Sequence, residues 1–354
     1  MINLYKEEYK RYLLVPAALF IIFLFLIFVY PQIPKGLDLK GGTMIIIRAD
    51  KEVNSDKLEA LLSQNFPLEE LSVSSISSPA GFGTIIEYAE NKDLAAGKAA
   101  LEQAKAAVST DPTTARQLAI DSMNNLSKYT LFPSAAGLDT NETIALAETT
   151  LIKANESFQE QLLALMKTEF DLGEDIRIQK REVGVALGET FWNSAINVSI
   201  IAIILVVLVI FAFFREIIPS LAVIAAAIFD IAGALALMAI FSVPLSLSSI
   251  PALLMLIGYS VDTDIMLTTR LLKRKERTVR ERSMEAMKTG LTMTFTTLAA
   301  LVAMLVLSYL TQMFVVFEIA AVLFFGLCAD IISTWLMNAP VLLWYVERQG
   351  KAVA

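Results

Sequence analysis

The 354-residue chain is 56% hydrophobic and 18% charged, and its mean hydropathy of +0.60 is above what water-soluble domains ordinarily reach, so a membrane protein is the first expectation. With no histidine and a single cysteine, Cys328, it excludes histidine-ligated metals, Ser-His triads, histidine proton relays and an internal disulfide. The net charge of −7 is modest, and its placement along the chain says more than its total.

The first uncharged run, 13–30, lacks a small-residue cleavage site, is followed by Pro31, Pro34 and Gly36, and reads as a retained membrane span after a short N-terminal segment, 1–12. A long polar region, 31–190, comes next. The run 191–214, with its core SIIAIILVVLVIF, is a second span. Spans are then expected at 217–241, 247–269, 290–310 and 316–346, giving six. A turn containing Pro244 joins the third to the fourth, a basic segment 270–289 joins the fourth to the fifth, and 347–354 is a tail.

Basic residues near span ends set the orientation. Lys6, Lys10 and Arg11 precede span one, Arg215 follows span two, eight Lys or Arg residues lie in 270–288, and Arg348 and Lys351 follow span six. The turns 242–246 and 311–315 carry none. Both termini and the basic segment are therefore expected in the cytoplasm, and 31–190 outside. The basic segment reads as a mildly amphipathic surface helix against acidic headgroups; nothing in it specifies nucleic acid.

The outer region has the pattern of a folded domain. TMIIIRA (43–49) reads as a strand and 56–63 as a short helix. LEELSVSSIS (68–77) and GTIIEYAE (83–90) read as strands joined by a Ser-Pro-Ala-Gly-Phe-Gly turn. Residues 94–170 carry long helical patterns, and DIRIQKREV (175–183) is a last strand. This order fits a split β-α-β-β-α-β arrangement with a helical insertion. The expected fold class is thus an α-helical polytopic membrane protein of six transmembrane helices, with an α+β, ferredoxin-like extracytoplasmic domain between helices 1 and 2.

GLDLKGGT (36–43) approaches a phosphate-binding loop, but Gly42 stands where the lysine is needed. Its glycines instead suit a sharp turn from span to strand. More telling are the carboxylates inside the spans: Asp230 in the third, Asp262 and Asp264 in the fourth, Asp330 in the sixth, with Glu318 near that span's start. An acidic residue at mid-bilayer costs about 2.5–3.5 kcal/mol on insertion scales, so it faces a bundle interior or a watery cavity. Asp262 and Asp264 are about 200° apart on a helix and cannot face one partner. Asp262 and Arg270 lie on one stripe, roughly 12 Å apart, too far for a direct ion pair. One reading makes these groups polar glue, bonded to hydroxyls such as Thr263, Thr292 and Thr296. The other makes them protonatable groups on an ion pathway, since desolvation disfavours a charged carboxylate.

These residues resemble a known family. One span, a large outer domain and five more spans make half of a resistance-nodulation-division transporter. GLDLKGG, with Gly36, Asp38, Gly41 and Gly42, resembles the segment after span one of the protein-export membrane proteins SecD and SecF. EVGVALG (182–188), with Gly184 and Gly188, resembles their VGPxLG element, with Val185 in place of proline. AIFDIAGAL (227–235), GYSVDTD (258–264, opening on Gly258) and ADIISTWLMNA (329–339) resemble SecF spans three, four and six, the last in the archaeal type. Bacterial SecF has Asn-Asp where this chain has Asp262-Thr263, so the family aspartate falls on Thr263, and the register favours Asp262 for its role. Arg270 matches the arginine that follows.

The resemblance implies a subunit that works with SecD and the Sec translocon (the SecY complex) to move exported polypeptide outward, driven by the proton gradient through Asp262, Asp264, Asp230, Asp330 and Arg270. Sodium is an open alternative, since carboxylates and Thr hydroxyls are hard oxygen ligands. The outer domain shows no nucleophile-base or metal-ligand cluster and histidine is absent, so no enzymatic activity, metal or cofactor is expected; the expected partners are SecD, the translocon, the exported chain and membrane lipid, with no nucleic acid. A small-molecule or lipid exporter of the same superfamily and a purely structural translocon subunit are the alternatives.

Overall fold

The computed structural model describes residues 9–49, 53–78, 81–170, 177–273, 278–311 and 313–353. Parts of the expected N-terminal segment, of the turns at 78–83 and 311–315, of the last strand's start and of the basic segment, together with the end of the tail, lie outside them. In chain order, a 3-10 turn (Tyr9–Leu13) leads into α1 (Leu14–Phe28), α2 (Leu37–Lys40), β1 (Gly42–Ala49), α3 (Ser55–Asn65), β2 (Ser72–Ser78) and β3 (Gly81–Tyr88). Then come α4 (Lys92–Ala107), α5 (Pro112–Asn125), α6 (Thr140–Phe170), β4 (Arg177–Val183), α7 (Val185–Phe214) and α8 (Ile217–Ile240). Last are α9 (Ser249–Lys273), α10 (Val279–Thr311), α11 (Phe314–Ile332), a π-helical segment (Ser333–Asn338) and α12 (Ala339–Val353). The chain divides into two compact units, one of residues 1–40 and 186–354, the other of 41–185.

In the first unit, six helical segments are long and apolar enough to cross a membrane: Arg11–Phe28, Thr190–Phe214, Ile217–Ile240, Ser249–Lys273, Val279–Thr311 and Phe314–Arg348. Their number is the six expected, and each overlaps one expected span, the fifth beginning at Val279 rather than 290. α8 is the central one because its sequence is built of small residues. Ala222, Ala226, Ala232, Ala234 and Ala236 are all buried, and small side chains let helix backbones approach closely where no hydrophobic force drives them together. Gly233 marks the tightest approach: a Cβ there would fall 2.5 Å from the Cβ of Ala329 on α11. Phe23 of α1 packs beside the same contact, 3.1 Å from that Cβ position, with its ring centroid 5.2 Å from that of Phe229. The span on α7, by contrast, is only 6% buried.

The basic segment departs from expectation. It does not form a separate surface helix: α9 runs on to Lys273, and α10 begins at Val279 and continues without a break to Thr311. Two arginines tie these helix ends together. Arg282 donates to the Leu271 carbonyl at 2.9 Å, and Arg270 donates to the Glu285 carbonyl and the Thr289 hydroxyl, both at 3.0 Å. The last carbonyls of a helix lack intrahelical partners, and a long arginine can satisfy them while burying its stem.

The second unit holds a four-stranded sheet of order β2-β3-β1-β4, antiparallel throughout, with Ile46 opposite Ile85 and Gln179. α3 lies between β1 and β2, and α4, α5 and α6 lie between β3 and β4. Ile45 and Ile47 of β1 and Ile86 and Tyr88 of β3 pack with Leu58 and Leu62 of α3 and Phe158 and Leu162 of α6 in one core. Asn54 caps α3, Asn91 caps α4 and Asp111 caps α5, each accepting from first-turn backbone N–H groups. Asn91 also donates to the Tyr129 hydroxyl at 2.9 Å, and that hydroxyl reaches Asp93 at 3.2 Å.

Burial pushes the Tyr88 and Tyr129 phenols up to about 12. An unfolded chain ionises them near 10, so between those values the folded unit holds more protons than the unfolded one. Its stability is therefore complete below about pH 10 and falls as pH rises towards 12. A phenolate absorbance titration should find both groups ionising together with loss of the unit's circular dichroism, while Tyr88→Phe removes one late-titrating group.

Candidate functional site

Three spans place carboxyl groups in one buried cluster. Asp230 of α8 and Asp330 of α11 are each 1% exposed, and Asp264 of α9 is fully buried. Hydroxyls connect them. Ser260, one turn before Asp264, donates to Asp230 Oδ2 at 2.5 Å. Ser333 donates to Asp230 Oδ1 at 2.6 Å. The Thr334 hydroxyl is 3.0 Å from Asp264 Oδ1 and 3.1 Å from Asp330 Oδ1. None of the ion pairs among the described residues includes any of the three.

The local backbone makes this convergence. Ser333 and Thr334 follow Asp330 at three and four residues, so all share one helix face. The π-helical segment that they open widens that turn; Ala339 N–H bonds to the Thr334 carbonyl, five residues back. Such segments inside α-helices concentrate at functional sites. Here it turns Ser333 to Asp230 and Thr334 to Asp264, two acceptors on two different helices. Asn338, also fully buried, comes one turn later and faces Asp264.

The other sequence candidates fall elsewhere. Asp262 is exposed on the opposite side of α9, as the 200° separation requires. Thr263 is buried but turns its hydroxyl to the Tyr259 carbonyl, 3.4 Å away. Thr292 and Thr296 are exposed and bond to their own helix, at Lys288 and Met293, so they do not support the carboxyls. Arg270 clamps α9 to α10 and pairs with none of the carboxyls. Ser260, Ser333 and Thr334 take the donor role instead, and their spacing from Asp264 and Asp330 was visible in the sequence. A fifth carboxylate, Glu318, stands apart at the start of α11, where it accepts from Ser246 at 2.6 Å and from Ser248.

Of the glycine motifs, Gly36 packs against the turn before α9: its N–H donates to Leu245 O at 2.7 Å, and a Cβ would fall 3.0 Å from that oxygen. Asp38 beside it is buried. Gly41 and Gly42 hold φ of 79° and 130°, which side-chain-bearing residues rarely adopt. Gly188 is buried. Gly184 and Gly258 are exposed, with open space where a side chain would go. Among the described residues, no group of three or more acidic or cysteine side chains is arranged to hold a metal ion.

The C-terminal family model of the protein-export membrane proteins SecD and SecF matches residues 164–348, a range that contains the whole carboxyl cluster. A protein-export membrane protein SecF from Methanothermobacter thermautotrophicus is 33% identical over 356 residues, 98% of this chain and 96% of that protein. The chain belongs to the SecF branch of the SecD/SecF family. Other archaeal SecF proteins are more identical over about half of the chain. One from Methanolacinia petrolearia is 46% identical over 170 residues, covering 48% of this chain and 60% of that protein. One from Pyrococcus furiosus is 46% identical over 178 residues, covering 50% of this chain and 59% of that protein. The crystal structure of SecDF, a translocon-associated membrane protein from Thermus thermophilus, has the same fold, with a TM-score of 0.63 at 17% identity. It aligns with 96% of this SecF-family chain, which spans 38% of the SecDF chain.

Proposed function

We propose that this SecF-family protein pairs with a SecD protein beside the Sec translocon and uses proton movement through Asp230, Asp264 and Asp330 to help draw exported polypeptide across the cytoplasmic membrane. The observation that carries this reading is the Thr334 hydroxyl held between two carboxyls. A hydroxyl has one hydrogen. It can satisfy both neighbours only by donating to one and accepting from the other, and an accepting hydroxyl requires a carboxyl that carries a proton. A cluster without a cation, out of water, is thus arranged for protons to be taken up, passed on and released.

In this reading, the segments 1–12, 270–289 and 347–354 are cytoplasmic, following the basic residues, and 31–190 is a ferredoxin-like domain outside, in keeping with its strand order. Asp262 and the exposed α7 face lipid or SecD. Gly36, Asp38, Gly41 and Gly42 shape the passage from the first span into the outer domain. One proton crossing a 100 mV potential supplies about 2.3 kcal/mol, so a few per cycle would move the outer domain against the exported chain. The established membership in an export family argues for a transport role and against an enzyme.

The test is export of a secretory protein from sealed cells that carry SecD, with and without this protein. The increment that this protein provides should vanish when a protonophore collapses the proton gradient and survive a sodium ionophore. An increment that outlasts the protonophore rejects proton coupling.

A further inference from the structure

Between α7 and the rest of the membrane unit lies an apolar cleft of about 240 Å³. Trp192, Ile196 and Ile203 of α7 form one wall, and Leu235 of α8 and Leu253 and Ile257 of α9 form the other. Among the described residues, Ser199 is the one lining side chain that carries a hydroxyl. Leu245, from the turn between α8 and α9, also lines it, and beside Leu245 stands Lys35. The Lys35 backbone pairs with Leu245, and the bonds of Leu245 to Pro34 and Gly36 fix it there. Its ammonium lies 4.6 Å from the centre of the Trp192 ring, at the mouth of the cleft. Lys35 is exposed, and none of the ion pairs among the described residues includes it.

The span on α7 is only 6% buried, so its own packing does not close the cleft. A gap left between apolar walls forfeits dispersion contacts on both sides. Water is a poor occupant: apolar cavities stay dry, and one of about 150 Å³ takes up benzene instead. A further helix is too wide. From Trp192 to Ile203 the cleft runs about 16 Å at 1.5 Å per residue, and a helix about 10–12 Å across needs several times the available volume over that length. A hydrocarbon chain is what such a slot admits.

The mouth supplies the other half of the recognition. Trp192 is the third residue of its span, which begins at Thr190, and tryptophan near a span end sits at headgroup level. A lysine ammonium has three donors and no acceptor. The ring face takes one side of it and leaves N–H groups for an anion, with which charge-assisted bonds are short and strong. An apolar slot that ends at a fixed cation matches an amphiphile with a hydrocarbon tail and a negative head. We propose that the cleft holds one tail of an anionic phospholipid from the leaflet at the Lys35 end of the spans, with its phosphate on Lys35. The lipid then supplies the packing that the inner face of α7 lacks, wedged between α7 and the α8–α9 pair. This inference stands apart from the proton role and needs none of the buried carboxyls.

Native mass spectrometry of the full chain tests it. The protein is extracted from vesicles of equal parts phosphatidylglycerol and phosphatidylcholine with identical tails, then stripped of lipid in steps. One phosphatidylglycerol should stay on the protein after the rest are lost, several-fold in excess of phosphatidylcholine. Lys35→Glu should erase that preference, and Lys35→Arg should keep it. Ile200→Trp, which fills the cleft from the α7 wall, should displace lipid of either kind. Lys35 is exposed and Ile200 is 50% exposed, so these variants should melt close to the unaltered chain, and Lys35→Arg guards against a loss that is only structural. Glycerol 3-phosphate, a head without tails, should not compete. Equal retention of the two lipids, a preference that survives Lys35→Glu, retention that survives Ile200→Trp, or displacement by glycerol 3-phosphate would each overturn the inference. Loss of the lipid when SecD is bound would also overturn it, and would make a SecD helix the occupant of this side of the bundle.

Discussion

Asp264→Asn, in cells that carry SecD, is expected to lower export of a secreted reporter to the level of cells lacking the protein, while Asp262→Asn retains most of it. Asparagine is nearly isosteric with aspartate and can still accept from Thr334, so assembly with SecD should persist in both variants. What Asp264→Asn removes is the ionisable carboxyl on which the proposed proton role rests, bonded to Thr334. Asp262 makes no contact with that cluster and points out of the bundle. Reporter secretion, membrane level and SecD co-purification, measured together, separate loss of ionisation from loss of protein. Normal export with Asp264→Asn, or a larger loss with Asp262→Asn, would move the working carboxyl to the outward face of α9.

The second large effect is expected where α8 meets α11. Gly233→Val would drive its side chain into Ala329, whose Cβ is 2.5 Å from the position a first methyl would take. A Cβ cannot swing aside as the end of a long side chain can, so the helix backbones must separate. Overpacking of this kind costs about 1–3 kcal/mol. Asp230 and Asp330 sit about one turn or less from the contact on the same two helices, so separation also loosens the Ser333 bridge. The purified complex should melt at lower temperature and lose export. The milder Gly233→Ala should recover both in the double variant Gly233→Ala/Ala329→Gly, which returns one methyl's worth of space to the same contact. A double variant no better than Gly233→Ala would mean that the glycine serves something other than this close approach.

Much of this arrangement is legible in the amino-acid sequence. Span positions followed from uncharged runs, because a bilayer admits little else. Four intramembrane carboxylates were visible for the same reason, and the rotation between Asp262 and Asp264 separated their faces. Which of the two faces inward was not legible. Val261, Ile265 and Met266 surround both, and a helix with apolar lipid on one side and an apolar core on the other shows no contrast to read. Family register favoured Asp262, whereas the buried cluster is built on Asp264. Thr292 and Thr296 stand in a dense group of hydroxyls, yet each bonds to its own helix, as threonine readily does. Ser333 and Thr334 carried the better signal, their spacing from Asp330. The π-helical segment did carry a marker: Pro340, just beyond STWLMN, has no N–H to give the Leu336 carbonyl four residues back. Charge in the basic segment marks no separate surface helix, because Arg270 and Arg282 reach carbonyls of α10 and α9.

The short stretch before the second unit has a mechanical consequence. Leu245 donates to the Pro34 carbonyl at 2.8 Å and accepts from Gly36 at 2.7 Å, so residues 34–36 are pinned to the turn between α8 and α9. From that pin to the start of β1 at Gly42 the chain has little slack, and most of it is wound into the single turn of α2. A helical residue advances about 1.5 Å and an extended one about 3.3–3.6 Å, so unwinding that turn yields only a short travel. The last residues of the membrane unit before β1 are therefore anchored to the turn that joins the two helices bearing Asp230 and Asp264, so breaking either bond at Leu245 would free the end of that segment.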